Sequence, residues 1–518
     1  MDGFLTFAAM RLLMCILPWS VLLLGVWEVS AQSAVPPKRE FRGAWICTLA
    51  NLDWPSKANQ HSDLQKTELI KILDFLENAG LNAVFVQVRP AGDAFYPSQL
   101  APWSEYLSGR QGVAPSPFYD PVKLMVDECH KRNMEFHAWF NPFRALSHIQ
   151  HSSIATNNMI HYRPDWFFNY GTSKYFDPGV PEARNYLVKV IMEVVRNYDI
   201  DGIHLDDYFY PYPIPGTPIP DSRSFRLHGE GYTDVKAWRR HNVNAFVEEL
   251  ADSIFLNKPS VKFGISPFGV WRNDDKDLLG SGTERALSAY DELYADTRKW
   301  LKYGWVDYMV PQLYWKIGSD RAAFDVLVRW WNQQSSGRHV YIGHAIYTLQ
   351  SEPKPSWAKV SEFVDQVGLC RAQDQVCGSA WFRCKTIMEN ACGIANSMRY
   401  ELYNYPAMIP SMPWIDSIPP VRPPDLKVNP QSKGLELSWV VPEPAEDMDL
   451  PTYYVVYRFK GGQTIHLDDP RNIVAFCRDT TYLDKSAHHG QTYTYAVTSV
   501  DRLHNESVHF ASQTFSYE

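Results

Sequence analysis

The chain has 518 residues, 45% hydrophobic and 21% charged, with a net charge of −8 and a pI near 6.1. That length exceeds one compact domain and fits a large body plus a smaller module. The composition is that of an ordinary globular protein, and the acidic balance sets aside non-specific nucleic-acid binding, which needs a basic surface.

Residues 1–31 read as a secretory signal peptide. Arg11 precedes an apolar run from Leu12 to Val26, and Val29-Ser30-Ala31 gives a small-x-small cleavage pattern before Gln32. A bilayer anchor is the rival, but the run is short and interrupted by Pro18, Ser20 and Gly25. Cys15 lies early in the run with no small residue just before it, which argues against lipid attachment. The expectation is an exported protein, periplasmic or associated with the cell envelope, with no stable membrane insertion after cleavage.

From 38 to 405 short apolar runs alternate with helical patterns. The runs span 41–49, 82–89, 135–143, 202–209, 262–269, 308–315, 339–347 and 376–383. Helical stretches between them include 65–79, 121–131, 181–197, 234–256, 290–303 and 357–367. Eight strand–helix units in order predict an α/β fold of the (β/α)8 TIM-barrel type. The open doubly wound sheet, the main rival, usually carries a Gly-rich loop after its first strand, and none is present. Long strand-to-helix loops at 90–119, 142–180 and 210–233 build a cleft on the face where barrel enzymes keep their chemistry.

A Pro-rich linker, 406–424, ends the barrel, and 425–518 alternates as an all-β module. Pro419-Pro420, Trp439, the run Tyr453-Tyr454-Val455-Val456-Tyr457-Arg458 and Tyr493-x-Tyr495-x-Val497 make it resemble a fibronectin type III sandwich. Its separate pattern reads as a separable spacer or packing partner, with glycan binding as the alternative. Four of the eight cysteines, Cys370, Cys377, Cys384 and Cys392, lie close together in sequence at no zinc-ligand spacing. Disulfides and buried thiols both remain open.

Neighbours on a strand face opposite ways. On the fourth strand Ile203 and Leu205 face the helices, so His204, Asp206 and Tyr208 face into the barrel. Asp206 then sits near the carboxyl end, placed to act as acid, base or nucleophile in glycosidic cleavage; the alternative is a structural acceptor at the rim. Asp207 faces away by this count, unless the strand is already bending into its loop, and then caps or pairs. The same sorting turns His137, Trp139 and Asn141 inward on the third strand, Gln87 and Arg89 on the second, Gln312 and Tyr314 on the sixth, and Ser379, Trp381 and Arg383 on the eighth. Hydrogen-bonding groups and aromatic rings suit sugar recognition, since the apolar face of a pyranose packs on an aromatic ring; the chain's 18 Trp also serve this reading. His137 and His204 alone do not make a metal site, which needs three or four convergent ligands. No cofactor or metal is expected, and the oligomeric state is open.

The motifs Phe41-Arg42-Gly43-Ala44-Trp45, His137-Ala138-Trp139-Phe140-Asn141-Pro142-Phe143-Arg144, Tyr175-Phe176-Asp177-Pro178-Gly179, Asp201-Gly202-Ile203-His204-Leu205-Asp206-Asp207-Tyr208, Gly264-Ile265-Ser266-Pro267-Phe268-Gly269 and Pro311-Gln312-Leu313-Tyr314-Trp315 resemble the glycosyl hydrolase-like family 10, barrel proteins of the bacterial envelope. The resemblance covers nearly all of the barrel. It implies a glycosidase acting on cell-wall glycan of the peptidoglycan type or a related amino-sugar polymer. With the inward sorting, it makes Asp206 and Asp207 the candidate catalytic pair. Arg89, His137, Trp139, Asn141, Arg144, His204, Tyr208, Gln312, Tyr314 and Trp381 are the candidate substrate contacts. The fourth strand is also distantly similar to family 18 chitinases, with their D-G-x-D-x-D-x-E: Asp201, Gly202 and Asp206 match, but Tyr208 stands where the acid would be. A general acid then has to come from elsewhere, with Asp53, Asp93, Asp274 and Asp291 as candidates. A non-catalytic glycan-binding barrel is the alternative, and an ester or amide hydrolase lacks the G-x-S-x-G elbow. Mass spectrometry of the exported protein is expected to find a mature N-terminus near Gln32; an intact N-terminus retained in the membrane would refute this.

Overall fold

The computed structural model describes residues 35–518, so the expected signal segment lies outside the described residues. Eight parallel strands close into a barrel: β1 (Phe41–Ile46), β2 (Ala83–Arg89), β3 (Glu135–Phe140), β4 (Gly202–Leu205), β5 (Lys262–Ile265), β6 (Tyr308–Met309), β7 (His339–His344) and β8 (Val376–Trp381). Each pairs with its successor in sequence, and β8 returns to β1 through Phe41 opposite Gly378 and Ala44 opposite Trp381. This is the predicted architecture, and every predicted run contains its strand.

Alternation sorts the side chains into two layers. Ala44 and Ile46, Phe136 and Ala138, and Ile203 and Leu205 join the core between strands and helices. Phe41, Trp45, Phe85, Trp139, Tyr308 and Tyr341 fill the barrel interior. Such large rings fit only because the opposite backbone gives way. A Cβ on Gly202 would lie 2.3 Å from His137 Nδ1, and one on Gly264 would lie 2.1 Å from the Tyr308 ring. Glycine at these two points is a packing requirement.

Helices Ser62–Asn78, Pro121–Lys131, Pro181–Asn197 and Val235–Asn257 cover the first half of the barrel. Asp120 and Asp234 cap two of them by accepting backbone N–H groups of the first turn. The helix expected over 290–303 is confined to Thr297–Lys302. Tyr294 adopts φ +58°, and its hydroxyl accepts from Arg239 Nη1, so this stretch is spent on side-chain contacts. No described helix is long and apolar enough to cross a membrane.

The C-terminal region forms two antiparallel sheets. One contains Lys427–Gln431, Gly434–Ser438 and Thr481–Asp484; the other contains Ile473–Cys477, Tyr453–Lys460, Gln491–Val500 and Ala511–Tyr517. Leu435, Leu437, Trp439, Tyr454, Val456 and Tyr495 pack between them. Tyr453, Val455, Tyr457 and Phe459 point the other way and bury a second face together with Met408. Burial on both sides explains why this strand reads as an almost unbroken apolar run. The seven described cysteines are all free thiols.

The sheets are joined to the amino-terminal end of the barrel by buried polar contacts. His504 Nε2 lies 2.7 Å from Glu135 Oε1 at the start of β3, and Lys262 at the start of β5 pairs with the same carboxylate. Burial alone would raise the Glu135 pKa; the Lys262 ammonium and the His137 and His504 donors outweigh it and hold the carboxyl well below its usual range. Lys38 reaches Glu506 at 2.6 Å, and Arg502 donates to the Ile200 carbonyl at 2.8 Å. The module expected to be separable therefore supplies part of the lining of the barrel floor. Removing it strips His504 from a buried charge and uncovers the apolar face around Met408. Truncation after Pro419 is expected to give an insoluble or strongly destabilised barrel. His504→Ala should cost ~1–3 kcal/mol, the range for a lost hydrogen bond to a charged group, measured by denaturant unfolding. A truncated barrel with the full-length melting temperature would overturn this.

Candidate active site

At the carboxyl ends of the strands lies a cleft of about 340 Å³. Its walls carry Asp206, Tyr208, Arg144, Trp139, Gln312 and Tyr314, all expected from sequence. Asp206 follows the last residue of β4 and is 8% exposed. Three donors hold it: Asn141 Nδ2 at 3.1 Å, Gln312 Nε2 at 3.2 Å and the Asp207 backbone N–H at 2.9 Å. Gln312 is itself fixed through the Ser266 carbonyl at 2.9 Å, and Asn141 accepts from Gln87.

Asp207 is buried and accepts the Tyr212 hydroxyl. Burial, and then the charge of Asp206 beside it, push its carboxyl well above the usual range. As the strand phase implied, Asp207 is not part of the cleft lining. The guanidinium of Arg144 lies 4.5 Å from the Tyr208 ring centroid, setting a cation beside the acidic pair.

Asn141 and His204 face inward but are fully buried beneath the cleft. The His204 Nε2 accepts from the Trp45 indole at 3.2 Å, which leaves Nδ1–H to donate to the Tyr308 oxygen at 3.3 Å. The Tyr308 hydroxyl in turn donates to His137 Nδ1 at 2.8 Å, and His137 Nε2–H donates to Glu135 at 2.9 Å. Burial and the neighbouring His137 depress the His204 pKa well below its usual value, so this imidazole is neutral. His137, expected to contact sugar, sits deep in the barrel as a link in this axial chain.

Two further expectations are corrected. Arg89 does not face the barrel interior: β2 and β3 pair Gln87 with Trp139 but Arg89 with Phe140, so a bulge absorbs one residue. Arg89 takes the outward phase of Phe140. Its Nη1 donates to the Pro142 carbonyl at 3.0 Å, and its guanidinium lies over Phe176. Trp381 also faces the helices, donating to Tyr403 at 3.0 Å and stacking on His344 at 4.5 Å. A register shift in β8 is the reason: Val340 pairs with Val376 but Tyr341 with Gly378, so the phase moves by one residue and the small Ala380 faces inward. Ser379 bonds His344 on that outer side, and Arg383 donates to the Leu52 carbonyl.

None of the four candidate acids lines the cleft. Asp53 accepts Cys47 N–H at 2.8 Å, and burial, opposed by Arg383, raises its pKa to about 6. Burial likewise raises Asp93 to about 6. Asp291 is paired with Arg272, and Asp274 is exposed. Sequence reasoning missed Cys47, Leu49, Leu52, Tyr347 and Phe382 in the lining. The phase of β1, which puts Trp45 and Cys47 on one face, was the available signal for Cys47. The others lie beyond the strand ends, where alternation gives no direction. The Trp139 indole N–H, on the cleft wall, has no protein partner.

A closed parallel barrel with a hydrogen-bonded carboxylate among aromatic rings at its carboxyl end has the build of a glycoside hydrolase. The chain belongs to the glycosyl hydrolase-like 10 family, which residues 40–359 match. It is 44% identical over 497 residues to the glycosyl hydrolase YngK of Bacillus subtilis (strain 168), covering 94% of this chain and 96% of that protein. It is 38% identical over 375 residues to the glycosyl hydrolase DigH of Escherichia coli (strain K12), covering 68% and 84%. Among solved structures, the glycoside hydrolase domain of PgaB (BpsB) from Bordetella bronchiseptica aligns with a TM-score of 0.44 at 11% identity, covering 70% of this chain and 98% of that chain. The family and the relatives support a glycoside hydrolase-type function.

The raised Asp207 pKa has a stability consequence with a definite sign. A carboxyl whose folded pKa exceeds its unfolded value of roughly 3.9 contributes stability below that value and loses it as pH rises toward the folded pKa. Asp207→Asn mimics the neutral carboxyl and has no proton to lose. Denaturant unfolding should therefore find the variant as stable as wild type near pH 3.5, and more stable at neutral pH. A variant less stable at neutral pH would mean that the ionised form is the one the fold accommodates.

Proposed function

We propose that the protein is a glycoside hydrolase that cleaves a bacterial cell-wall glycan of the peptidoglycan type, or a related amino-sugar polymer, outside the cytoplasm. The observation that carries the catalytic reading is Asp206: among the described residues, it is the one carboxylate lining the cleft. It accepts hydrogen bonds from three donors, and burial and its own charge raise the pKa of the carboxyl beside it. The substrate class rests on family membership and on the aromatic walls, and the location on the pattern of residues 1–31.

In this reading a sugar ring lies against Trp139 and Tyr314, with its anomeric carbon facing Asp206. The carboxylate opposes the positive charge that develops as the glycosidic bond breaks, acting as nucleophile or as base toward water, while the leaving oxygen takes its proton from solvent, because no second carboxyl among the described residues lines the cleft. Asp207 is a positioning residue: its backbone N–H donates to Asp206 at 2.9 Å, and its own buried carboxyl, its pKa raised by burial and by Asp206, accepts the Tyr212 hydroxyl. The Trp139 indole N–H, which has no protein partner, is free to meet a hydroxyl or acetamido oxygen of the substrate, and Arg144 sets a guanidinium on the cleft wall, its Nη1 donating to the Pro90 carbonyl.

The test is release of reducing ends from purified glycan strands freed of stem peptides. Asp206→Asn keeps the shape and removes the charge, and turnover should fall at least ~10²-fold, the lower range for losing an acid–base group. Asp207→Asn retains a donor toward Asp206 and should cost less on the same substrate. An inactive Asp207→Asn beside a near wild-type Asp206→Asn would reverse the two roles. Wild-type binding of the glycan without release of reducing ends would favour the alternative of a non-catalytic glycan-binding barrel, which a cleft with a single lining carboxylate also fits.

A further inference from the structure

Three aromatic rings beside the cleft have no part in the chemistry above. Tyr208, on the cleft wall, meets Tyr212 at a centroid distance of 5.6 Å and a tilt of 59°. Tyr212 meets Phe268 at 6.2 Å and 70°, and Phe268 meets Trp315 at 5.5 Å and 84°. The rings come from the loops after β4, β5 and β6, three neighbouring strands, and each meets the next in a series that begins at Tyr208 on the cleft wall. Tyr212, Phe268 and Trp315 are each partly exposed. They do not line the cleft itself.

Contacts of this steep kind set the edge of one ring against the face of the next and lock the series rigidly. Tyr212 is further fixed by donating its hydroxyl to Asp207. The strip is therefore ordered, uncharged and continuous with a cleft that already suits a sugar ring. Its ring-to-ring steps are comparable to the length of one sugar unit.

We propose that Tyr212, Phe268 and Trp315 bind further sugar units of the same glycan, so that the protein grips an oligosaccharide segment extending past the sugar at Asp206. The inference rests on the glycan reading above. It assigns to the protein a preference for long chains over a single terminal sugar.

Binding is measured in the Asp206→Asn background, where turnover does not interfere, by calorimetry with N-acetylglucosamine oligomers of increasing length. Affinity should rise with length. Adding Trp315→Ala should lower affinity for the long oligomers by ~3- to 10-fold, the range for losing one aromatic contact, while leaving the short ones unchanged. Phe268→Leu, which keeps apolar volume but removes the ring, should act in the same direction, with thermal melts verifying the fold of both. Affinity independent of length, no binding at any length, or the same length dependence after both substitutions would overturn the proposal. Failure of the hydrolase reading shows up separately, as a wild-type protein that releases no reducing ends while the length-dependent binding persists.

Discussion

A buried carboxylate at the floor of the barrel orders much of what lies above it. Glu135 is 4% exposed and ionised, so it must be fully partnered or it would cost several kcal/mol. It receives Lys262, His137 and His504. Because its lone pairs fix His137 as a donor on Nε2, the opposite nitrogen must accept, and the Tyr308 hydroxyl must donate to it. That leaves the Tyr308 oxygen to accept from His204, and His204 Nε2 to accept from Trp45. Each hydrogen bond dictates the direction of the next along the barrel axis. The chain ends at an indole on the cleft wall, so the cleft inherits its orientation from an ion pair at the far end of the strands.

The same closed geometry explains how the C-terminal module becomes part of the barrel. A parallel barrel leaves its amino-terminal mouth open to water unless something covers it. Here the cover supplies His504 to Glu135, and an apolar face around Tyr453, Val455 and Tyr457 meets Met408 from the linker. Water kept from Glu135 and Lys262 preserves the strength of their attraction, which is weak in high dielectric. The upper mouth is treated in the opposite manner. It is left accessible, with Asp206 held by three hydrogen-bond donors and Asp207 buried beside it.

Much of this was legible in the sequence, and the rest was not, for identifiable reasons. Eight alternating runs predicted the barrel, because each strand–helix unit carries its own apolar periodicity. Within a regular strand, parity placed His137, Trp139 and Asn141, His204 and Asp206, and Gln312 and Tyr314 on the inner side, because the pleat is a local property of the backbone. The rule failed where something non-local intervened. A bulge in β2 turned Arg89 outward, and a register shift between β7 and β8 turned Trp381 toward the helices. Tyr347 and Phe382 joined the cleft from beyond their strands, where no period applies.

The sequence by itself determined the strand–helix order, the inward phase of the regular strands and the position of Asp206 at the mouth, since all three follow from spacing along a few residues. Only the tertiary structure decided which inward residues reach the cleft, that Asp207 is buried beside Asp206 with a raised pKa, and that the C-terminal module completes the barrel floor. These depend on burial and on the meeting of groups far apart in the chain. His504 and Glu135 are separated by 369 residues, and no local pattern records that closing the barrel leaves Glu135 one hydrogen-bond donor short until the module docks.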